Sequence, residues 1–151
     1  MSEVKAKDIK FLNYPVSEVY RAVTDFSAYP KWYPKPFKFE VLHLDTHAVG
    51  TTVAIENGRL VKWVAKVTGF EPDELLGIDY IDGAWLGKTY WRFSDADGRT
   101  KLTLEIDLEI NKAWLRLLSR FMNFSKLHSK QMRQVFTALE HYLSTYPAES
   151  G

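Results

Sequence analysis

Strict alternation of apolar and polar side chains in residues 99–110 constrains the fold more than any other feature of this sequence. From residue 102 onward apolar residues occupy every second position, and charged residues or threonine fill all the positions between them. A strand with this pattern buries one face and exposes the other, as strands of antiparallel sheets do. The apolar face consists of Leu102, Leu104, Ile106, Leu108 and Ile110. The segment therefore predicts one strand of an antiparallel sheet.

Five more strand-like segments precede this one, separated by turn signals. The predicted strands cover residues 37–46, 51–58, 59–70, 74–82 and 85–95. The turn signals are Gly50, Asn57-Gly58, Pro72-Asp73, Asp82-Gly83 and Asp97-Gly98. Asn-Gly and Asp-Gly favour tight hairpins because both of their residues tolerate positive φ. Six strands joined by short turns predict a meander.

A strand and a proline-rich corner come before the meander. Residues 3–12 predict the strand, residues 15–25 a short helix, and residues 26–36 a corner with at most one helical turn before its prolines. The alternating residues of the strand are Ile9 and Phe11 on one face and Asp8 and Lys10 on the other.

Residues 112–145 contain neither glycine nor proline and predict one long helix. Its apolar stripe, at helical spacings of three and four, consists of Trp114, Leu118, Phe121, Met132, Val135, Phe136, Leu139 and Leu143. The opposite face carries Lys112, Arg116, Arg120, Lys126, Lys130 and Arg133. That basic face is a candidate contact for a partner protein or an anionic surface, while a solvated helix back is the simpler interpretation.

The order strand, two short helices, six strands, long helix resembles the helix-grip arrangement. The local signature lies in residues 14–34, where Asp25 ends a small helix and Tyr29, Pro30 and Trp32 form an aromatic–Pro–x–Trp turn. Gly50 matches the glycine before the second meander strand. The chain thus resembles the START/Bet v 1-like superfamily (SRPBCC), and within it the polyketide cyclase/dehydrase proteins.

This resemblance implies an α+β fold in one START-like domain over residues 1–151. A seven-stranded antiparallel sheet would curl around the long C-terminal helix, and two short helices after the first strand would close one end. A cavity is then expected between the helix and the sheet. Related proteins bind lipids or aromatic molecules there, and some fold and cyclise polyketides.

Polar residues interrupt the apolar stripe of the long helix at Ser125 and His128, which point in the same direction as Met132 on a helical wheel. A polar group buried without a partner costs roughly 1–3 kcal/mol. Either these two side chains bond to the sheet or trapped water, or they line a ligand cavity.

Aromatic residues at alternating positions are candidates for the facing wall. Trp63 and Trp91 fall on the concave face if their strands turn that way, where they either stack on a flat ligand or fill the core. In the strand containing Asp79 and Tyr80, one side chain must point inward, and the apolar Ile78 beside them favours Tyr80. The expected ligand-binding set is Trp63, Tyr80, Trp91, Ser125, His128 and Met132.

Three functions remain open at this point. The first is binding or transport of a small hydrophobic ligand. The second is a polyketide cyclase or aromatase activity, in which His128 and Tyr80 would exchange protons with the substrate. The third is an interaction module like the ribosome-associated or coenzyme Q-binding relatives, using the basic helix face.

Composition and motifs exclude several other classes. The chain has no cysteine, so thiolate metal sites and cysteine catalysis are excluded. No cofactor is expected. No metal is expected either, since His43 and His47, which lie four residues apart in sequence, flank a turn that does not aim both rings at one point. A net charge of +1 gives no general attraction to nucleic acid. No apolar run approaches the roughly 20 residues that span a bilayer, and no signal peptide is evident, so we expect a cytoplasmic protein.

Overall fold

The computed structural model describes residues 3–45 and 48–145. Within these residues, seven strands form one antiparallel sheet: β1 (Glu3–Leu12), β2 (Phe37–His43), β3 (Thr52–Asn57), β4 (Val61–Glu71), β5 (Leu75–Gly83), β6 (Trp85–Ala96) and β7 (Arg99–Ile110). The helices of the same residues are α1 (Val16–Thr24), α2 (Tyr29–Trp32), α3 (Ala113–Leu118) and α4 (Phe124–Thr145), with a 3-10 turn at Phe26–Ala28. This is the predicted helix-grip fold.

The strand order in the sheet is β1-β7-β6-β5-β4-β3-β2. The meander predicted for 37–110 therefore runs across six neighbouring strands, and β1 closes the far side by pairing with β7 from Glu3 opposite Glu109 to Leu12 opposite Thr100. At the β6–β7 hairpin, Asp97 and Gly98 both adopt positive φ, as the dipeptide predicts. The apolar face of β7 is buried, from Leu102 to Ile110.

The front corner combines the 3-10 turn with α2 and is built from packed aromatic rings. Pro30 lies in the first turn of α2, where a missing N–H costs nothing, so it begins this helix rather than ending it. The Tyr29 hydroxyl donates to the carbonyl of Val23, which ties the corner to α1. Rings of Trp32 and Tyr33 lie 5.1 and 5.5 Å from that of Tyr29, and the corner closes one end of the sheet.

Strand β1 is formed as predicted, and the charged side chains of its alternating pattern face α4. Ile9 and Phe11 are exposed on the outer face, whereas Asp8 and Lys10 face α4. Lys10 forms an ion pair with Glu140 at 3.9 Å, and Asp8 lies beside His128. The α4 helix crosses over β1, so polar side chains meet there and the apolar ones of β1 are left outside.

The prediction of one long helix over 112–145 is wrong, because the chain breaks between α3 and α4. Asn123 caps the new helix: its side-chain oxygen accepts from the backbone N–H of Lys126 at 3.1 Å. Leu115 is buried against a second apolar cluster with Val4 and Ile106, which holds α3 against β7. Trp114, Leu118 and Phe121 consequently leave the stripe and are exposed.

Candidate functional site

A cavity of about 220 Å³ opens between the start of α4, α3 and the inner face of the sheet. Its inner wall is formed by Trp63, Tyr80 and Trp85 from the sheet and by His128 and Met132 from α4. Its outer rim is formed by Trp114, Leu118, Met122, Phe124 and Leu127. The break between the two helices therefore produces the mouth of this cavity.

A second, smaller space of about 60 Å³ extends the cavity deeper under the sheet towards the aromatic corner. Both spaces share lining residues: Tyr33, Phe37, Trp63, Tyr80, Ile106, His128 and Met132. The inner space also reaches Trp91, Thr89 and Phe26. The two spaces are thus neighbouring lobes of one site, an outer lobe at the mouth and an inner lobe in the core.

Aromatic rings contact one another along the cavity wall. The ring centroids of Trp63 and Tyr80 are 5.6 Å apart, those of Trp63 and Trp85 6.5 Å, and those of Trp85 and Phe124 5.8 Å. Edge-to-face and tilted contacts at these distances stabilise ring pairs and fix their orientation. The cavity therefore has a firm, flat-sided apolar wall.

Three polar groups interrupt this wall at one point. The Tyr80 hydroxyl lies beside Thr89 and Trp63. Burial is the larger effect on this group and raises the pKa of Tyr80 above its usual value, while contacts with Thr89 and Trp63 lower it by less. Trp63 Nε1 and Thr89 Oγ1 are buried and make no full hydrogen bond within the described residues. A buried polar atom without a hydrogen-bond partner can form a hydrogen bond with a polar atom of a ligand.

His128, in the cavity wall, forms a buried pair of ionisable side chains with Asp8 of β1. The Nδ1 atom of His128 is 3.8 Å from Oδ2 of Asp8, and both side chains are mostly buried. The neighbouring His128 is the main cause that lowers the pKa of Asp8 below its usual value, against burial, which raises it. Ser129 and Arg133 of α4 lower the pKa of Asp8 further. The ring of His128 also borders both lobes, so the pair connects β1 to the cavity.

Five residues of the sequence-predicted set border the two lobes: Trp63, Tyr80, Trp91, His128 and Met132. Ser125 does not. It lies in the first turn of α4 on the side that faces β1, beside Glu3 and Lys5, whereas Phe124 and Leu127 of the same turn face the cavity. Ser125 is therefore removed from the set.

The direction of Tyr80 agrees with the prediction. Asp79 points outward, where its carboxylate accepts from Thr68 at 3.2 Å and lies 3.4 Å from Lys88 Nζ. A β-bulge follows, since Ala65 pairs with Tyr80 and Val64 with Asp82.

Sequence reasoning missed several residues in or next to the cavity wall. Asp8 gave no usable signal, because the apolar Ile9 and Phe11 that alternate with it are the side chains that strands normally bury. Thr89 lies two residues before Trp91 in the same strand, so the alternation that predicts an inward Trp91 also predicts an inward Thr89. Tyr33 and Phe37 belong to the proline-rich corner, where no periodicity gives a direction.

The sequence model of the polyketide cyclase / dehydrase and lipid transport family matches residues 12–127. The chain belongs to this family. The match spans α1, the aromatic corner and the whole meander, and it ends at the beginning of α4. A search of the curated proteins finds no match to the sequence.

Solved structures share the family's fold over nearly the whole chain. The crystal structure of TTHA0849 from Thermus thermophilus has a TM-score of 0.78 at 18% identity, with 97% of this chain and 99% of that one covered. The Zhui aromatase/cyclase from Streptomyces sp. R1128 has a TM-score of 0.70 at 17% identity, with 99% of each chain covered. Ara h 8.0201 has a TM-score of 0.69 at 15% identity, with 95% and 99% covered. At these identities the likeness shows the fold alone.

Within the described residues, no group of three or more His, Asp or Glu side chains is arranged to hold a metal ion. His43 is exposed and lies 3.8 Å from Asp45, and His47 lies outside the described residues. His141 is exposed on α4. No helix among residues 3–45 and 48–145 is long and apolar enough to cross a membrane.

The predicted basic face is exposed but is divided by the helix break. Lys112, Arg116 and Arg120 lie on or next to α3, and Lys126, Lys130 and Arg133 lie on α4. Arg116 is fixed in place, since its guanidinium donates to the carbonyl of Ile110 at 2.9 Å.

Proposed function

We propose that the protein binds a small hydrophobic molecule in the two-lobed cavity. The observation that supports this most directly is an open apolar space of about 220 Å³ at the point where the stripe of the last helix is interrupted. A fully packed interior would have few voids larger than a water molecule. Membership of a lipid-transport and polyketide cyclase family agrees with an apolar ligand.

Cavity size limits the ligand. The outer lobe exceeds the roughly 150 Å³ of an engineered cavity that binds benzene, and it is below the roughly 300 Å³ at which drug-sized pockets begin. A ligand of one or two rings, or a short acyl chain, fits this range. The aromatic wall of Trp63 and Trp85 favours a ring.

Polar atoms near Tyr80 set the orientation of this ligand. Trp63 Nε1 can donate only, while Tyr80 and Thr89 hydroxyls can donate or accept. A ligand oxygen, such as a carbonyl, would satisfy these groups, whereas a pure hydrocarbon would leave them as they are. We therefore expect a ligand with one polar oxygen at its inner end.

The cytoplasmic location, the single domain over residues 1–151 and the absence of a nucleic-acid partner stay predictions.

Titration with the fluorescent probe N-phenylnaphthylamine tests this function. The probe should bind saturably and brighten, and Ile106→Phe should weaken binding because Ile106 borders both lobes. Ile9→Phe, the same change on the outer face of β1, is the matched control. Thermal unfolding checks that both variants remain folded. A folded wild-type protein that takes up no apolar probe would refute the proposal.

Cyclase-like catalysis is a second candidate, favoured by the Asp8–His128 pair. A poly-β-ketone needs a base for its acidic α-proton and a donor for the enolate oxygen. His128, oriented by Asp8, would take the proton, and Tyr80 would donate to the oxygen. Conversion of a poly-β-ketone substrate should then fall in His128→Ala while binding of the apolar probe persists. Unchanged turnover in that variant would reject these roles.

A further inference from the structure

The α3–α4 corner, residues 112–127, exposes large apolar side chains. Phe121 is 80% exposed and Leu117 is 58% exposed. Trp114, Leu118, Met122 and Leu127 are exposed as well and form the rim of the cavity mouth. Contiguous exposed apolar side chains mark an interaction site.

Positive charge surrounds these apolar side chains. Lys112, Arg120 and Lys126 are exposed on the corner, and residues 111–139 contain no Asp or Glu. Two acidic residues lie beside the corner, opposite each other on β1 and β7: Glu3, which forms an ion pair with Lys5 at 3.8 Å, and the exposed Glu109. The corner therefore combines apolar and cationic groups, the combination that favours the interface of an anionic bilayer.

A second segment on the other side of the mouth has the same character. The β3–β4 turn exposes Leu60 at 78% and Arg59 next to it. The flanking residues Asn57 and Val61 line the outer lobe. Two separate parts of the chain thus present an apolar side chain beside a cation around one opening.

We propose that the α3–α4 corner docks on an anionic lipid bilayer with the cavity mouth towards the membrane. Phe121 and Leu117 enter the boundary between headgroups and acyl chains, and Lys112 and Arg120 contact the lipid phosphates. Exchange of ligand between bilayer and cavity would follow, and that step rests on the proposed function. Docking itself needs no ligand.

Flotation of the ligand-free protein with phosphatidylcholine vesicles, with and without phosphatidylglycerol, tests docking. The protein should bind the anionic vesicles, and added salt should weaken binding. Lys112→Gln/Arg120→Gln should weaken it roughly 25-fold, since each cation near an anionic surface contributes roughly a factor of five. Leu117→Ser/Phe121→Ser should remove most of the remaining affinity.

Matched controls place the same changes on the outer face of the sheet. Lys66→Gln/Lys101→Gln and Ile9→Ser/Phe11→Ser should leave vesicle binding unchanged, because these exposed residues do not line the cavity or its mouth. Failure to bind anionic vesicles, or equal losses in the controls, would overturn the proposal. A concentration-dependent dimer that Leu117→Ser/Phe121→Ser abolishes, without vesicle binding, would instead assign the corner to a second copy.

Probe uptake without vesicles separates this proposal from the ligand-binding function. Leu117 and Phe121 do not line the cavity, so their variants should take up N-phenylnaphthylamine like the wild type. Vesicle binding without probe uptake would support docking and refute the cavity function. Probe uptake without vesicle binding would do the reverse.

Discussion

Tyr80 combines the two properties that a ligand-orienting residue needs, an inward direction and hydroxyl chemistry. The bulge after it shifts the register of β5 against β4, while Asp79 stays on the outer face with Lys88. Its hydroxyl lies beside Thr89 and Trp63 in an otherwise apolar wall. A hydrogen bond formed there is protected from competing water, so its loss should be measurable.

Replacing Tyr80 by Phe should discriminate between ligands. We expect Tyr80→Phe to weaken binding of an aromatic ketone about two- to tenfold, because a typical hydrogen bond contributes roughly 0.5–1.5 kcal/mol. Binding of the hydrocarbon with the same rings should not change. Displacement of the fluorescent probe measures both affinities.

Tyr90→Phe is the matched control, since Tyr90 lies outside the cavity with Arg92 above its ring. It should leave both affinities unchanged. Equal weakening of ketone and hydrocarbon in Tyr80→Phe would show that the hydroxyl does not contact the ligand.

Asp8 should make stability depend on pH in the acid range. The neighbouring His128 holds the pKa of Asp8 below its usual value in the folded protein, so folding favours the ionised form. The resulting stabilisation is complete above the unfolded pKa and is lost as pH falls through the folded pKa. Asp8→Asn should flatten the fall in melting temperature below about pH 4, where the unfolded carboxyl begins to titrate.

Melting temperatures of wild type and Asp8→Asn between acidic and neutral pH provide the measurement. Asp95→Asn, which changes an exposed carboxylate at the β6–β7 turn, is the control. If the two variants follow the same curve, the lowered pKa of Asp8 does not contribute to stability.

At the scale of elements, the break between α3 and α4 decides whether the cavity has a mouth. Asn123 supplies the side-chain oxygen that satisfies the first turn of α4. Removing such a cap costs about 1 kcal/mol. Asn123→Ala should lower the free energy of unfolding by about that amount, as measured by urea denaturation.

Gln134→Ala, at an exposed position within α4, is the control and should change the free energy of unfolding little. A similar loss in both variants would mean that helix propensity, rather than the cap, accounts for the effect.

Strands were easier to predict than the helix break, for a physical reason. Alternation in residues 99–110 and the Asp97-Gly98 turn are local properties, and together they indicate the register of the β6–β7 hairpin. The break at residues 119–123 has no glycine or proline. Asn123 is a residue type that favours helix N-caps, but the break also depends on burial of Leu115 against residues distant in sequence, such as Val4, which no local pattern shows.

In the candidate site, too, side-chain directions are predictable where an element has a clear local period. The clear period of their elements indicates the direction of Trp63, Trp91 and Met132, which border the cavity. Ser125 shares α4 with His128 and Met132, but it lies at the beginning of the helix beside β1, and the helical period alone does not show where along the helix the cavity ends. Asp8 was overlooked because the outward direction of Ile9 contradicts the usual burial of apolar side chains.

For the whole molecule, the central question is whether the aromatic residues fill the core or surround a ligand. They do both. At the front corner Tyr29 packs against Phe26 and Trp32 while also bordering the inner lobe, and Trp63 and Trp85 border the outer lobe. The corner closes one end of the sheet and the helix break opens the other, so ligand and membrane would meet at one side of the molecule.

Native mass spectrometry of the protein purified from its own host, followed by denaturing extraction, tests directly whether the cavity holds a ligand. We predict a bound species that disappears on denaturation and is small, apolar and oxygen-bearing, with Ile106→Phe reducing its occupancy. A bare protein mass, together with no uptake of N-phenylnaphthylamine by the folded protein, would contradict it.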